Sequence, residues 1–320
     1  MRKLPHFTSL FSERMVQFLD FKHMQGFDYI DGQQQLERFD AFLCKTQRTS
    51  PVLRHEDLDD YRADLRHMHS GTQAKLLSSV RQFSHFLHAF EPQSVVLPTR
   101  ILPRRPRTIR FYPLDVEQVG ELMAATAILR PRSAIRPMCL RFLIGLLYST
   151  GLRIGEALAL NLGDVDQKEA SLFVRDGKFH KQRIVRMSPS TVEALQQWLS
   201  LRCDYAGNDA NTPLLVGGWN QRLKDWQAAR AFARLCAYCG IGGNPPPRLH
   251  DLRHNFAARC LALWREANED VDAMLPVLAN AMGHVDFHAT QTYMHIDAFA
   301  LQTASAKFHT HTANPKESSK

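Results

Sequence analysis

The chain has 320 residues, of which 44% are hydrophobic and 22% charged, which excludes a disordered polypeptide and leaves room for two domains. Its 40 lysines and arginines exceed its 32 aspartates and glutamates, so the formal net charge of +8 favours a polyanionic partner. The most apolar stretch, Met138 to Tyr148, contains Arg141 and is too short to span a bilayer. The first residues lack the apolar core of a signal peptide. We therefore expect a cytoplasmic protein without a membrane partner.

The first ninety residues carry four helical patterns. The clearest pattern repeats apolar residues every three or four positions, at Leu76, Leu77, Val80, Phe83, Leu87 and Phe90. Three shorter stripes precede it, at Met15, Phe18 and Leu19, at Leu36, Phe39, Phe42 and Leu43, and at Leu58, Tyr61 and Leu65. Because amphipathic helices bury their apolar faces against one another, residues 1–92 are predicted to form a four-helix bundle.

Residues 93–112 differ in composition, being rich in proline and arginine. Proline removes a backbone donor and disfavours helix at the residue before it, so this stretch is predicted to be an extended linker. Its basic residues are Arg100, Arg104, Arg105, Arg107 and Arg110. Two interpretations stay open: the arginines follow a phosphate backbone, or they belong to a solvated linker.

Helical patterns resume at Leu114, with one interruption. Ser171 to Arg175 and Ile184 to Met187 are short runs with β-branched residues, joined through Asp176-Gly177. Such a pair of runs around Asp-Gly predicts a β-hairpin, here with a loop longer than two residues. The sequence thus predicts a mainly α fold with one small β-hairpin over residues 113–310, followed by a polar tail at 311–320.

Six cysteines are scattered along the chain, and reduced thiols are the expected state without a secretion signal. Cys236 and Cys239 form a C-x-x-C pair inside a helical pattern with no second ligand pair nearby. We therefore expect ordinary helix residues here rather than a zinc or redox site.

Two segments carry basic residues at places suited to phosphate chemistry. In Thr150-Gly151-Leu152-Arg153, the glycine ends an apolar helix and Arg153 lies three residues before Glu156, which could orient its guanidinium. The plainer alternative is a surface ion pair. Lys178 follows Gly177 in the predicted hairpin loop and could donate a proton, or it could simply be solvated.

Two later segments place histidine, arginine and tyrosine at regular intervals. His250 and Arg253 are three residues apart on a predicted helix, where both would point the same way as an oxyanion clamp, with Leu252 on the buried face. His284 follows a helix-ending glycine, and Tyr293 comes nine residues later. A lone tyrosine in a helical region is usually a packing residue.

Together these residues resemble the active site of the tyrosine recombinase (phage integrase) family, in the order Arg153, Lys178, His250, Arg253, His284 and Tyr293. Four sequence motifs also resemble motifs of that family. They are TGLRIGEAL, GKFHKQR, HDLRHNFA and a Gly-His pair followed nine residues later by tyrosine. The resemblance covers about residues 115–308, and residues 1–92 resemble the family's core-binding (SAM-like) domain. The long segment between Arg253 and Gly283 resembles the transposon-associated branch.

The resemblance implies a reaction in which Tyr293 attacks a DNA phosphate and forms a 3′-phosphotyrosyl bond. Arg153 and Arg253 would stabilise the phosphate charge, Lys178 would protonate the leaving 5′-oxygen, and the two histidines, His250 and His284, would supply hydrogen bonds. Glu156 would orient its neighbours. The implied reaction needs no metal, nucleotide or other cofactor. The implied partners are double-stranded DNA and other protomers, with four protomers at synapsis.

Two alternatives stay open at this point. A type IB topoisomerase would use the same active-site chemistry to relax DNA, and a non-catalytic DNA-binding regulator would form no covalent adduct. The sequence names neither the DNA target site nor the process, which could be integration, transposition or dimer resolution.

Overall fold

The computed structural model describes residues 6–46, 50–99, 111–129, 134–175, 182–218 and 221–283. The chain divides into two compact units, Met1–Thr108 and Ile109–Lys320. No helix within the described ranges is long and apolar enough to cross a membrane.

The first unit contains the four predicted helices, α1 (Ser12–Met24), α2 (Ile30–Lys45), α3 (His55–Asp64) and α4 (Ser70–Phe90). Each predicted stripe supplies buried residues to one apolar core, in which the rings of Phe18 and Phe83 meet edge to face with centroids 5.8 Å apart. Phe90, the last residue of the α4 stripe, is 52% exposed. The helix ends there, so the core no longer covers that side chain.

Seven α-helices of the second unit are described. They are α5 (Val116–Ala125), α6 (Ile135–Thr150), α7 (Ile154–Ala159), α8 (Pro189–Arg202), α9 (Asp225–Tyr238), α10 (Leu249–Glu266) and α11 (Val271–Met282). Helix α6 is the central element, since it is buried at most positions from Ile135 to Thr150 and packs against α5, α8 and α10. It ends at Gly151, whose φ of +63° is readily available only to glycine.

The predicted hairpin is present, in the strands β2 (Ser171–Val174) and β3 (Arg183–Arg186). They are antiparallel, with Phe173 opposite Ile184 and Val174 opposite Arg183. The loop residues 176–181 lie outside the described residues. Alternation turns Arg183 and Val185 toward the protein interior and leaves Ile184 exposed.

The expectation that the rest of the unit is helical was wrong at three short strands. β1 (Val165–Asp166) pairs with β2 and completes a three-stranded sheet, and β4 (Val216–Gly218) pairs with β5 (Gln221–Arg222). Strands of two or three residues are too short to show an alternating pattern in the sequence. The chain remains mainly α-helical, as predicted.

Candidate active site

Arg153 occupies the N-cap of α7 and binds Glu156 twice. Its backbone N–H donates to Oε2 of Glu156 at 2.9 Å, and its Nη1 donates to Oε1 at 2.7 Å. The short chain between Gly151 and α7 therefore fixes the arginine and the carboxylate relative to each other. The alternative of a surface ion pair is excluded, because the side chain of Glu156 is only 4% exposed.

Glu156 has a second cationic partner in Arg183, which enters from strand β3. Nη1 and Nη2 of Arg183 donate to Oε1 and Oε2 of Glu156 at 3.0 and 2.7 Å, a bidentate pair. Burial by itself would raise the pKa of Glu156. The hydrogen bonds and charge of Arg183, together with the bonds from Arg153, outweigh burial and lower that pKa to about 2. Glu156 is therefore ionised at every physiological pH.

Arg253 is buried in the second turn of α10, with 2% of its surface exposed. Its Nη1 donates to the carbonyl oxygen of Gly151 at 2.6 Å, and its Nη2 donates to that of Met282 at 2.7 Å. Sequence reasoning expected Arg253 and His250 to share a face, opposite to the buried Leu252. In the structure Arg253 is buried together with Leu252, whereas His250 lies at the surface. Arg253 thus forms part of the floor of the site.

Three arginines converge on the C-terminal end of α11. Arg183 Nε donates to the carbonyl of Ala281 at 3.0 Å, Arg253 Nη2 to that of Met282 at 2.7 Å, and Arg153 Nη2 to that of Gly283 at 2.8 Å. The last carbonyls of a helix lack partners within it and carry partial negative charge, so guanidinium groups stabilise this end strongly. Three successive carbonyls therefore bring the arginines together immediately before His284 in the chain.

His250 and His254 are neighbours on α10, one turn apart, with ring centroids 4.6 Å apart and planes at 87°. Although His250 reaches the surface, partial burial of its ring and the charges of Arg253 and Arg248 lower its pKa. Burial and the nearby His250 lower the pKa of His254 to about 4. Both rings are therefore favoured in the neutral form, which can accept as well as donate a hydrogen bond.

Asn255 joins the start of the second unit to α10, a role that the sequence did not reveal. Its Oδ1 accepts from the backbone N–H of Leu114 at 2.9 Å, and its Nδ2 donates to the carbonyl of Tyr112 at 3.0 Å. Nδ2 also donates to the carbonyl of Asp251 at 2.7 Å. These bonds hold α10 in place beside Tyr112 and Leu114.

The structure brings together Arg153, Glu156 and Arg253, and places His250 on the same helix as Arg253. Three further predicted site residues, Lys178, His284 and Tyr293, lie outside the described residues. So do the linker residues Arg100, Arg104, Arg105, Arg107 and Arg110.

Sequence reasoning did not assign Arg183 to the site. The available signal was the alternation of β3, because Arg183 lies two residues before the buried Val185 and so shares its inward face. A charged residue on the inward face of a strand needs a buried partner, and Glu156 supplies it.

The C-x-x-C pair lies at the end of α9, with Cys236 buried and Cys239 at the C-cap. Burial raises the pKa of Cys236 to about 12, so its thiol stays protonated. Within the described ranges, no three histidine, cysteine or acidic side chains are grouped so that they could hold a metal ion.

Comparison with known proteins decides the family. The sequence profile of the phage integrase family matches residues 113–299, more than half of the chain. The chain belongs to the phage integrase family. Within this family it is 32% identical to "Putative integrase/recombinase y4rB" of Sinorhizobium fredii, over 89% of this chain and 93% of that protein. It is 30% identical to tyrosine recombinase XerC of Thermodesulfovibrio yellowstonii, over 74% and 75%.

Solved structures of recombinases and integrases share the fold of this phage integrase family member. XerH site-specific recombinase bound to palindromic difH superposes with a TM-score of 0.64 at 17% identity, over 88% of this chain and 79% of that one. The Tn1549 transposon integrase in complex with transposon right end DNA gives 0.61 at 16% identity, over 92% and 99%. At these identities the likeness establishes the fold alone.

Proposed function

We propose that this phage integrase family member is a site-specific recombinase that cleaves and rejoins double-stranded DNA through a phosphotyrosine bond to Tyr293. The observation that carries the proposal is the convergence of Arg153 and Arg253 on the successive carbonyls of Gly283 and Met282. Two fixed guanidinium groups at one place can stabilise the charge that develops on a phosphate under attack.

We propose that the two arginines contact the phosphate from different positions, because their exposure to solvent differs. Arg253 is 2% exposed and would meet a phosphate oxygen at the floor of the site. The side chain of Arg153 is 24% exposed and would hold the phosphate from the edge. Each terminal nitrogen of a guanidinium carries two N–H groups, so Arg153 can bind Gly283 and a phosphate oxygen together.

In the proposed reaction Tyr293 gives its phenol proton to His250, whose neutral ring can accept it. The phenolate oxygen then forms a bond to phosphorus, and the bond to the 5′-oxygen breaks. Lys178 gives its proton to that oxygen, while His250 and His284 donate hydrogen bonds at the phosphate. Rejoining reverses these steps, with the 5′-hydroxyl of the partner strand displacing Tyr293. The scheme requires neither a metal nor a nucleotide, because the arginines supply the positive charge.

The domain assignments follow from the same proposal. Residues 1–92 are the core-binding domain, residues 93–112 the linker whose arginines contact phosphates, residues 113–310 the catalytic domain and residues 311–320 a polar tail. Duplex DNA and further protomers are the proposed partners, with four protomers at synapsis, and the cytoplasm is the proposed location. XerH bound to difH and the Tn1549 integrase on transposon end DNA support DNA as the ligand by shared fold.

Relatives favour recombination over the two alternatives. The named relatives are integrases and tyrosine recombinases, which favours strand exchange over simple relaxation by a type IB topoisomerase. A regulator without catalysis would not need three arginines gathered before His284. A relaxation assay with and without a recombination site distinguishes the enzyme classes.

The deciding experiment compares wild type with Tyr293→Phe on a nicked suicide duplex, resolved on a denaturing gel. The variant loses one oxygen and keeps its ring, so it should bind DNA as wild type does and yield no covalent band. An adduct that persists in the variant, or that maps by mass spectrometry to another tyrosine, would overturn the assignment. Absence of any wild-type adduct would favour the regulator.

A further inference from the structure

Arg183 uses its guanidinium on groups of the protein itself. Its side chain is 8% exposed, two of its nitrogens bind the carboxylate of Glu156, and its Nε binds the carbonyl of Ala281. All three guanidinium nitrogens of Arg183 therefore donate to groups of the protein. Its effect must pass through the groups that it holds.

The carboxylate of Glu156 is saturated by four donors. Oε1 accepts from Nη1 of Arg153 and Nη1 of Arg183, and Oε2 accepts from the backbone N–H of Arg153 and Nη2 of Arg183. A carboxylate offers about four lone-pair sites, so each one is filled. Removing Arg183 would leave half of this buried group without a partner and free it to turn away from Arg153.

Arg183 also lies against the backbone at the end of α11. A Cβ atom added at Gly283 would be 2.6 Å from Nη1 and 2.8 Å from Cζ of Arg183. The carbonyl of the same Gly283 accepts from Arg153 at 2.8 Å. The guanidinium of Arg183 therefore binds one anchor of Arg153, the Glu156 carboxylate, and packs against the other, the Gly283 backbone.

We propose that Arg183 is a positioning residue for the recombination reaction, holding Glu156 and the end of α11 so that Arg153 is aimed at the scissile phosphate. The inference rests on the proposed function, since it assigns Arg153 to the phosphate. The competing explanation is a buried ion pair that only stabilises the fold, and such pairs often contribute little net stability.

The first test compares Arg183→Gln and Arg183→Lys with wild type on the nicked duplex. Arg186→Gln is the matched control, since Arg186 lies on the same strand with a side chain 69% exposed. With thermal melting confirming the fold, Arg183→Gln should keep DNA affinity within about twofold. Cleavage by Arg183→Gln should be about 10- to 100-fold slower than by wild type, because one hydrogen bond to a charged group is lost. Unchanged cleavage in a folded Arg183→Gln would overturn the proposal.

The pH profile separates positioning from stability. Within the described ranges the charged side chains bonded to Glu156 are Arg153 and Arg183. Without Arg183, the pKa of Glu156 should rise into the pH range of the cleavage assay. Cleavage by Arg183→Gln should therefore fall at acid pH values at which wild type still cleaves. Arg183→Lys keeps the charge without the bidentate fork, so it should restore the profile and only part of the rate. A profile identical in wild type and Arg183→Gln would contradict the role.

A double-mutant cycle closes the test. If Arg183 acts through Glu156, then Glu156→Gln with Arg183→Gln should cleave no more slowly than the worse single variant. Multiplying losses would show that the two residues act independently and would overturn the proposal. If Arg183→Gln fails to fold, two other variants test whether Arg183 acts through Glu156. They are Arg183→Lys and the double variant, in which no carboxylate is left buried without Arg183. A wild type without adduct would instead refute the proposed function.

Discussion

The Nη1 of Arg253 donates to the carbonyl oxygen of Gly151 at 2.6 Å, joining residues 102 positions apart in the chain. On the same helix, Phe256 packs against Gly151 so closely that an added Cβ would be 2.3 Å from its ring. The C-cap of α6 therefore packs closely against the part of α10 that carries Arg253 and Phe256. The position of Arg253 depends on a glycine that lies two residues before Arg153.

Gly151→Ala should destabilise the protein by about 2 kcal/mol or more. The φ of +63° disfavours any residue with a Cβ, and that Cβ would collide with Phe256. Urea unfolding gives the measurement. The control is Gly120→Ala in α5, where nothing lies within 4 Å of the added Cβ, and alanine there should be neutral or stabilise by about 0.5 to 1 kcal/mol. Equal effects at both positions would contradict the close fit.

Acid should remove the stability that ionised Glu156 provides. Although burial opposes it, pairing with Arg183 and Arg153 lowers the pKa of Glu156 from 4.5 to about 2. A carboxyl with a depressed pKa stabilises the fold above its unfolded pKa, and this contribution is lost as pH falls through the folded value. The difference in unfolding free energy between wild type and Glu156→Gln should thus narrow by about 2 kcal/mol from about pH 6 to about pH 3.

Urea titrations across this pH range measure the effect. Glu169→Gln is the control, because Glu169 is 67% exposed and pairs with Arg186 at the surface. This exposed pair should contribute little to stability. A constant difference for Glu156→Gln would show that Glu156 is not ionised more easily in the folded state.

Lys178, rather than Lys181, should be the acid that protonates the leaving oxygen. Lys178 directly follows Gly177, where the phage integrase family places its lysine. A substrate with sulfur at the 5′-bridging position needs no strong acid, since a thiolate leaves readily. Cleavage by Lys178→Ala should therefore recover on this substrate, measured beside Lys181→Ala. Recovery confined to Lys181→Ala would reverse the assignment.

Strand cleavage should proceed in excess EDTA. Arg153 and Arg253 supply fixed positive charge at the place where the proposed mechanism puts the phosphate. Adduct formation on the nicked duplex should be the same with and without the chelator. Cleavage lost on chelation and regained with Mg²⁺ would show that the arginines do not suffice.

The linker arginines should account for a large part of the salt dependence of DNA binding. Each neutralised phosphate adds about 0.9 to the slope of log affinity against log salt. If Arg100, Arg104, Arg105, Arg107 and Arg110 each contact a phosphate, replacing all five with glutamine should reduce the slope by about 4.5. Fluorescence anisotropy at several salt concentrations measures it. An unchanged slope would leave these residues as a solvated linker.

Much of the fold could be predicted from sequence because its signals are local. The three- and four-residue spacing of Leu76, Val80 and Phe83 predicted α4, and the runs around Asp176-Gly177 predicted the hairpin. The order and spacing of the family's motifs indicated the reaction class. The two-residue strands β1 and β5 could not be predicted, since pairing with a distant neighbour defines them.

The sequence by itself determined which residues we propose for the chemistry, since Arg153, Arg253 and the other motif residues are recognisable from their near neighbours. Only the tertiary structure decided that Glu156 and Arg253 are buried and that Arg183 belongs with them. The contacts of α11 with Arg183, Arg253 and Arg153 span 98, 29 and 130 residues. No local pattern encodes such contacts, because they exist only after folding has brought a helix end, a strand and two other helices to one place.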